Sequence, residues 1–419
     1  MPEHVTPPPR PVRFSGARLI DGTGAAPVED AVVDTAADGT IAYAGPAAGA
    51  PAPAPGRQEV DLGGRTLLPG FFDCHVHLGL DNPRELVWNH LDSHASLQAL
   101  AAADRMRRTL EAGVTSVRDL GGLDAGFRAA QERGLAVGPR LQVALRLISD
   151  TGGHADFTLP SGVDPHRLAP GAGETADGVH EARVAVRRLM RDGADVIKVC
   201  ATGGISSPSD GPEDEGLSRE EIAAVVAETG RRGGRPVAAH AQGAAGIRNA
   251  VLGGVSSVEH GYLVDDEGID LMLERGTFLV PTLATFDFEH RRHLMTEKAY
   301  RAKQWLAERT FDRIPEAVRR GVRVALGTDA GVSEHGRNLA ELGFLVRVGL
   351  SPMEAIVAGT RSSAELLGVA DRLGTVEHGK LADLVVCQGD PLLDVGVLAE
   401  PDNVVVVVQG GRVVKDIRA

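Results

Sequence analysis

Lysine is nearly absent from this sequence, with five residues against 39 arginines in a chain of 419. Surface cations are therefore supplied almost entirely by arginine. Cysteine is scarce as well: Cys74, Cys200 and Cys387 make no disulfide framework, and a reducing cytoplasm suits them. No segment approaches the roughly 20 consecutive apolar residues of a membrane span. The start of the chain, Met1 to Arg10, lacks the basic opening and apolar stretch of a secretory signal. Positive charge is in deficit, and a net charge of -13 argues against nucleic acid or an anionic membrane as the main partner. What these absences leave is a soluble, cytoplasmic protein acting on a small-molecule substrate. A homo-oligomer is compatible with the sequence, which carries no mark of one.

Against that background Lys198 stands out as the only lysine before Lys298. It lies in Asp195-Val196-Ile197-Lys198-Val199-Cys200, an apolar, strand-like run where a stray charge is costly. Burial lowers an amine toward its neutral, nucleophilic form, a state that guanidinium does not reach. A neutral amine can take up carbon dioxide as a carbamate, an oxygen ligand able to bridge two metal ions. The bland alternative is a snorkelling or ion-paired lysine.

Five further candidates close short apolar runs: His75 and His77 in Phe71-Phe72-Asp73-Cys74-His75-Val76-His77, His240 after Val237-Ala238-Ala239, His260 after Ser257-Val258-Glu259, and Asp329 after Leu326-Gly327-Thr328. Small or polar residues follow each of these runs, as where a parallel strand gives way to its loop. Because strand side chains alternate faces, a His-x-His pair aims both imidazoles into one space. Any one of these histidines alone could be a hydrogen-bonded core residue.

Between residues 67 and 365 the pattern alternates between strand and helix. Strands are expected near 69–77, 114–119, 140–148, 195–201, 236–241, 256–261, 278–284 and 322–329. Amphipathic helical stretches run from Ser96 to Glu111, Glu181 to Arg191, Arg219 to Arg231 and Phe288 to Arg320. Eight such strands predict a (β/α)₈ TIM barrel of the α/β class, with its active site at the C-terminal strand ends. All six candidates fall there. Residues 1–66 and 366–419 are strand-rich, and the two ends are expected to pair into one small β-sandwich domain. The Pro- and Ala-rich tract from Gly45 to Gly56 reads as an exposed loop.

The ordered set His75-x-His77, Lys198, His240, His260, Asp329 resembles the binuclear metal-dependent amidohydrolase superfamily. The resemblance extends to Gly374-Thr375-Val376-Glu377-His378-Gly379-Lys380-Leu381-Ala382-Asp383-Leu384-Val385-Val386, the segment by which that superfamily's chain returns to its β-domain. Ile148-Ser149-Asp150-Thr151-Gly152-Gly153-His154, Lys198-Val199-Cys200-Ala201-Thr202-Gly203-Gly204 and Ser257-Val258-Glu259-His260-Gly261 are similar to the prolidase and Xaa-Arg/Lys dipeptidase branch, related to imidazolonepropionases. This resemblance implies that His75, His77 and Asp329 hold one ion and His240 and His260 the other. It also implies that a carboxylated Lys198 joins the two ions.

Zinc suits such mixed nitrogen and oxygen ligands, although manganese, cobalt or iron would also fit. Two ions about 3.5–4 Å apart share a hydroxide and polarise a carbonyl. Asp329 is then the acid/base for hydrolysis of a dipeptide or N-acyl amino acid. The alternative chemistry is opening or deamination of a cyclic amide of imidazolone type.

His154, in a Gly-rich loop, either hydrogen-bonds the substrate carbonyl oxygen or a substrate carboxylate, or is an exposed loop histidine. Arg118 either binds a substrate carboxylate or forms a structural ion pair. Tyr262, with the strand parity of His260, either faces the pocket or packs. Cys200 and His335 are minor candidates, and His90, His94, His290 and His293 have no strand-end context. The acidic loop Gly203–Gly216 is long enough to act as a lid and equally readable as a solvated loop.

Overall fold

The computed structural model describes residues 9–53, 56–81, 93–159, 161–163, 173–205 and 210–418. Five strands open the chain: β1 (Val12–Leu19), β2 (Val28–Thr35), β3 (Ile41–Pro46), β4 (Gln58–Asp61) and β5 (Thr66–Pro69). The barrel strands follow as β6 (Phe71–Val76), β7 (Val114–Asp119), β8 (Arg140–Val143), β9 (Leu147–Ser149), the short edge strand β10 (Glu174–Thr175), β11 (Ile197–Cys200), β12 (Val237–Ala241), β13 (Ser257–His260) and β14 (Phe278–Val280). Three more, β15 (Leu384–Cys387), β16 (Val404–Gln409) and β17 (Arg412–Asp416), return to the first group.

The expected third barrel strand is interrupted between β8 and β9, where Leu145 takes a φ of 69° that no continuous strand tolerates. Asp195 bridges the gap, donating its N–H to Val143 O at 2.9 Å, before β9 pairs with β11. The eighth position is an irregular segment that closes the barrel by backbone hydrogen bonds on both sides. On one side Leu279 N donates to Arg323 O (2.8 Å); on the other Asp329 N donates to His75 O (2.7 Å) and His77 N to Ala330 O (2.7 Å).

The helices follow the expected spans closely where caps mark them. Ser218 and Glu221 form a capping box at the start of the Arg219–Gly230 helix. The long expected helix from Phe288 is instead two pieces, a 3-10 turn at Glu289–Leu294 and a helix at Glu297–Arg319. Thr296 separates them because its hydroxyl accepts the N–H of Ala299 and starts the second piece afresh.

The chain ends make one sheet, ordered β17-β16-β15-β5-β1-β2-β3, with β4 alongside β1. Its far edge closes on the segment before β15, since Ile41 N donates to Lys380 O and Ala382 N to Gly39 O. The apolar runs of this sheet are unbroken because both faces are covered. Leu67, Leu384, Val386, Val406 and Val408 pack in the sheet's own core, whereas Leu68, Val385, Val404 and Val407 pack against the barrel. Phe71, at the start of β6, is fully buried in the barrel core. Phe71→Ala is expected to cost about 3–5 kcal/mol, read as a lower urea midpoint; a midpoint equal to wild type would show that this end of the barrel re-packs.

Candidate metal centre

His75, His77, Lys198, His240, His260 and Asp329 are all buried, and all six line one cavity of about 820 Å³ at the C-terminal ends of the barrel strands. Register brings the pieces together: His240 pairs with Cys200 on β11, and His260 with Ala241 on β12. Cys74 and Val76, which alternate with the two histidines of the first barrel strand, pack into apolar clusters.

Local backbone does part of the aiming. His260 and Asp329 adopt positive φ values of 73° and 55°, and Thr282, on the neighbouring strand end, adopts 49°. Non-glycine residues rarely hold this conformation, which costs about 1–3 kcal/mol each and concentrates at functional sites.

Each histidine commits one ring nitrogen to the protein. His75 Nδ1 donates to Glu259 Oε2 at 2.9 Å, His77 Nδ1 to Gly121 O at 2.8 Å, and His240 Nε2 to Gly203 O at 3.0 Å. His260 Nδ1 lies 2.8 Å from Thr282 Oγ1. The carboxylate and carbonyl partners fix the tautomers of His75, His77 and His240 and leave their other nitrogens as bare lone pairs. Those of His75 and His77 face Asp329, whose Oδ1 is 3.2 Å from His77 Nε2 and 3.6 Å from His75 Nε2 without forming an aligned hydrogen bond to either. One donor atom each from His75, His260 and Asp329 lies within 4.8 Å of the other two. Lys198 Nζ is buried with no hydrogen-bond partner.

Protonation states suit a cation. Burial, reinforced by the nearby Lys198 amine, holds His75 well below the usual histidine range. Burial takes His260 down to about 3 and lowers His240 as well. Burial also lowers Lys198 to about 8. Burial by itself would raise Asp329, but the surrounding His75, His77 and His260 outweigh it and hold the carboxyl below the ordinary range. His77 goes the other way: burial works to lower it, but Asp329 outweighs burial and raises it. Three neutral imidazoles, an unpaired carboxylate oxygen and an unpaired amine are a donor set for divalent metal.

The amidohydrolase family model matches residues 66–414. This chain belongs to the amidohydrolase family. It is 35% identical to an ochratoxinase from Aspergillus niger over 368 residues, covering 83% of this chain and 75% of that one. It superposes on a crystal structure of a Xaa-Pro dipeptidase with bound methionine at a TM-score of 0.87, with 32% identity over 97% of this chain and 100% of the other. An imidazolonepropionase from Mesorhizobium japonicum is 26% identical over 408 residues, 88% of this chain and 89% of that one. The amidohydrolase is therefore a hydrolytic enzyme of the branch that includes prolidase-like and imidazolonepropionase-related proteins. Among the described residues no helix is long and apolar enough to cross a membrane.

Other residues singled out in the sequence fall in different places. His154 reaches the amidohydrolase cavity, its ring stacked on that of His240 at 4.0 Å and its Nδ1 3.9 Å from Asp210 Oδ1. Tyr262 lines the cavity too, but its hydroxyl is engaged by Thr282 and Thr285 (2.8 and 2.9 Å), so it offers the face of its ring.

Arg118 corrects the expectation of a carboxylate-binding cation. It has no exposed surface, and its guanidinium donates to Cys74 O (2.7 Å), Ser257 Oγ (3.1 Å) and Glu259 Oε1 (2.7 Å) inside the barrel. His335 bonds Leu80 O and does not line the cavity. Cys200 is buried, its thiol pushed up to about 12 by that burial. His94, His290 and His293 are exposed, and His90 lies outside the described residues. The Gly203–Gly216 loop folds back as a turn, Gly203 N donating to Asp214 O and Gly216 N to Ala201 O, and it contributes Ile205, Asp210 and Asp214 to the cavity wall. Residues 206–209 of that loop lie outside the described residues.

Glu259 was not singled out, although a carboxylate in the apolar run before His260 was a visible signal. It accepts from His75, Arg118 and Ser257 at once. Removing the carboxylate partner of a ligating histidine weakens metal affinity by about 10- to 100-fold. Glu259→Gln is expected to show that loss in competition with a chromophoric chelator, and an unchanged affinity would mean that other groups orient His75.

Proposed function

We propose that this amidohydrolase cleaves amide bonds of small molecules such as dipeptides or N-acyl amino acids, with two divalent ions, zinc foremost, joined by a carbamate on Lys198. The observation that carries the reading is the bare Lys198 amine, buried without a hydrogen-bond partner in the cavity that also receives the free lone pairs of the histidines. In this reading His75, His77 and Asp329 hold one ion, and His240 and His260 the other.

Bound divalent ions supply an acidified water and polarise the scissile carbonyl. The protein supplies the rest. Asp329, with Oδ1 unpaired, takes the proton of the attacking water and delivers it to the leaving amine. His154, with Nδ1 unpaired and its ring stacked on that of His240, meets the substrate oxygen from beside that ligand. Burial of all six donors keeps bulk water from competing with substrate. A cavity of about 820 Å³ matches a dipeptide-sized ligand. The three free, buried thiols are in keeping with a reducing cytoplasm.

The imidazolonepropionase likeness supports a second reading, opening or deamination of a cyclic amide. Metal analysis of the purified enzyme, run beside a screen of dipeptides, N-acyl amino acids and cyclic amides, separates the two. Two equivalents of metal with amino acid release are expected; ring opening of a cyclic amide, or ammonia release, without amino acid release would replace the first reading with the second. Lys198→Arg should abolish turnover and lower metal content, because guanidinium forms no carbamate. Wild-type turnover in that variant would remove the bridging role. Exhaustive chelation should abolish activity, and activity should return with added divalent metal.

A further inference from the structure

Both substrate classes of the proposed function share one group, the free carboxylate beside the scissile nitrogen, and the cation expected to bind it, Arg118, is sealed inside the barrel. Among the described residues, three other cations besides Lys198 line the cavity: Arg291, Lys298 and Lys303. Arg291 is committed, since its guanidinium donates to the carbonyls of Val332 and Asp81. Lys298 is exposed at the rim. Lys303 is half-buried, and among the described residues its amine has no ion-pair or hydrogen-bond partner. Its Nζ lies 5.6 Å from the centre of the Phe288 ring, and Phe286, Phe288 and Leu306 share its wall.

We propose that Lys303 is the anchor for the substrate's free carboxylate, and that the Phe286–Phe288 wall takes the adjoining apolar or aromatic side chain. This inference rests on the proposed amide hydrolysis and deepens it. The Lys303 ammonium already lies near an aromatic face, an arrangement that favours a desolvated cation. A carboxylate arriving there completes a charge-assisted hydrogen bond that the protein itself leaves open. Burial lowers Lys303 to about 8, with Asp329 across the cavity working to keep it charged and Arg291 working against it. The Glu297–Arg319 helix that carries Lys303 is capped by Thr296, which fixes where this cation enters the site.

The test compares hydrolysis of N-acetyl-L-phenylalanine with that of its carboxamide, by wild type, Lys303→Gln and Lys303→Arg, alongside calorimetric binding of L-phenylalanine to each protein. Wild type is expected to favour the acid in kcat/KM. Lys303→Gln should reduce that acid-to-amide preference at least tenfold, chiefly through KM, and weaken L-phenylalanine binding in parallel, while Lys303→Arg retains most of both. The preference is a ratio within one protein, so a partly folded variant lowers both rates and leaves it unmoved. Equal handling of acid and amide by wild type, or an undiminished preference in Lys303→Gln, overturns the anchor and leaves amide hydrolysis standing. Hydrolysis of neither compound, nor of any dipeptide, overturns both.

Discussion

A primary amine enclosed in a barrel without a single hydrogen bond is the feature around which the rest of this protein is organised. Leaving a buried polar group unsatisfied costs about 1–3 kcal/mol, and more when it is charged. Lys198 bears that cost on β11, in a run that is otherwise apolar. The groups that meet it across the cavity are themselves incomplete, with Asp329 Oδ1 unpaired and four histidines each presenting one uncommitted nitrogen. A cavity containing this many open donors and acceptors is arranged for a ligand that completes them together. The same low-dielectric setting that makes the amine expensive also brings it toward the neutral form that carbamate chemistry requires.

Holding such a set in register demands rigid cross-links, and buried carboxylates at Glu259 and Asp73 supply two of them. Glu259 ties β6, β7 and β13 together through His75, Arg118 and Ser257. Asp73 ties β6 to the irregular eighth segment, accepting from Thr328 N and Oγ1 and from Asn338 Nδ2. Each network is closed within itself, which is the condition under which a buried polar cluster rigidifies a core rather than weakening it. The eighth segment needs this support most, because it lacks regular strand pairing and yet delivers Asp329 in a left-handed conformation. Precision at the centre thus comes from polar contacts that face away from the substrate.

Much of this was legible in the residues. Short apolar runs ending in a ligand-type side chain gave strand ends because a parallel strand buried on both faces has to be apolar until it leaves the barrel. The terminal strands were legible for the same reason. Two kinds of feature were not. Interruptions such as Leu145 and the separate start at Thr296 depend on single dihedral angles and a cap that a hydrophobic pattern does not resolve. The direction of a charged side chain on a strand was the other: Arg118 and Glu259 both sit at strand ends, and only their mutual contact decides that one serves structure and the other His75. The lysine scarcity that marked Lys198 applies equally to Lys298 and Lys303. Two more of the five lysines line the same cavity, so the signal was present and was followed only as far as the strand.

The division of labour that results has a physical logic. The six candidate metal ligands sit at the ends of barrel strands or on the segment closing the barrel, where backbone hydrogen bonds hold them, and His154 reaches them from the loop after β9. The wall that discriminates substrates comes instead from the Leu283–Phe286 turn and the Glu297–Arg319 helix beyond β14. Neither helix nor turn carries a candidate ligand, so Phe286, Phe288 and Lys303 can be exchanged without removing one. The terminal sheet stands outside this division altogether. By packing one face on its own core and the other on the barrel, it stabilises the scaffold while leaving the mouth of the cavity to the loops. A family built this way can change what it cleaves by altering one wall, because the residues that do the cleaving are anchored through a different set of contacts.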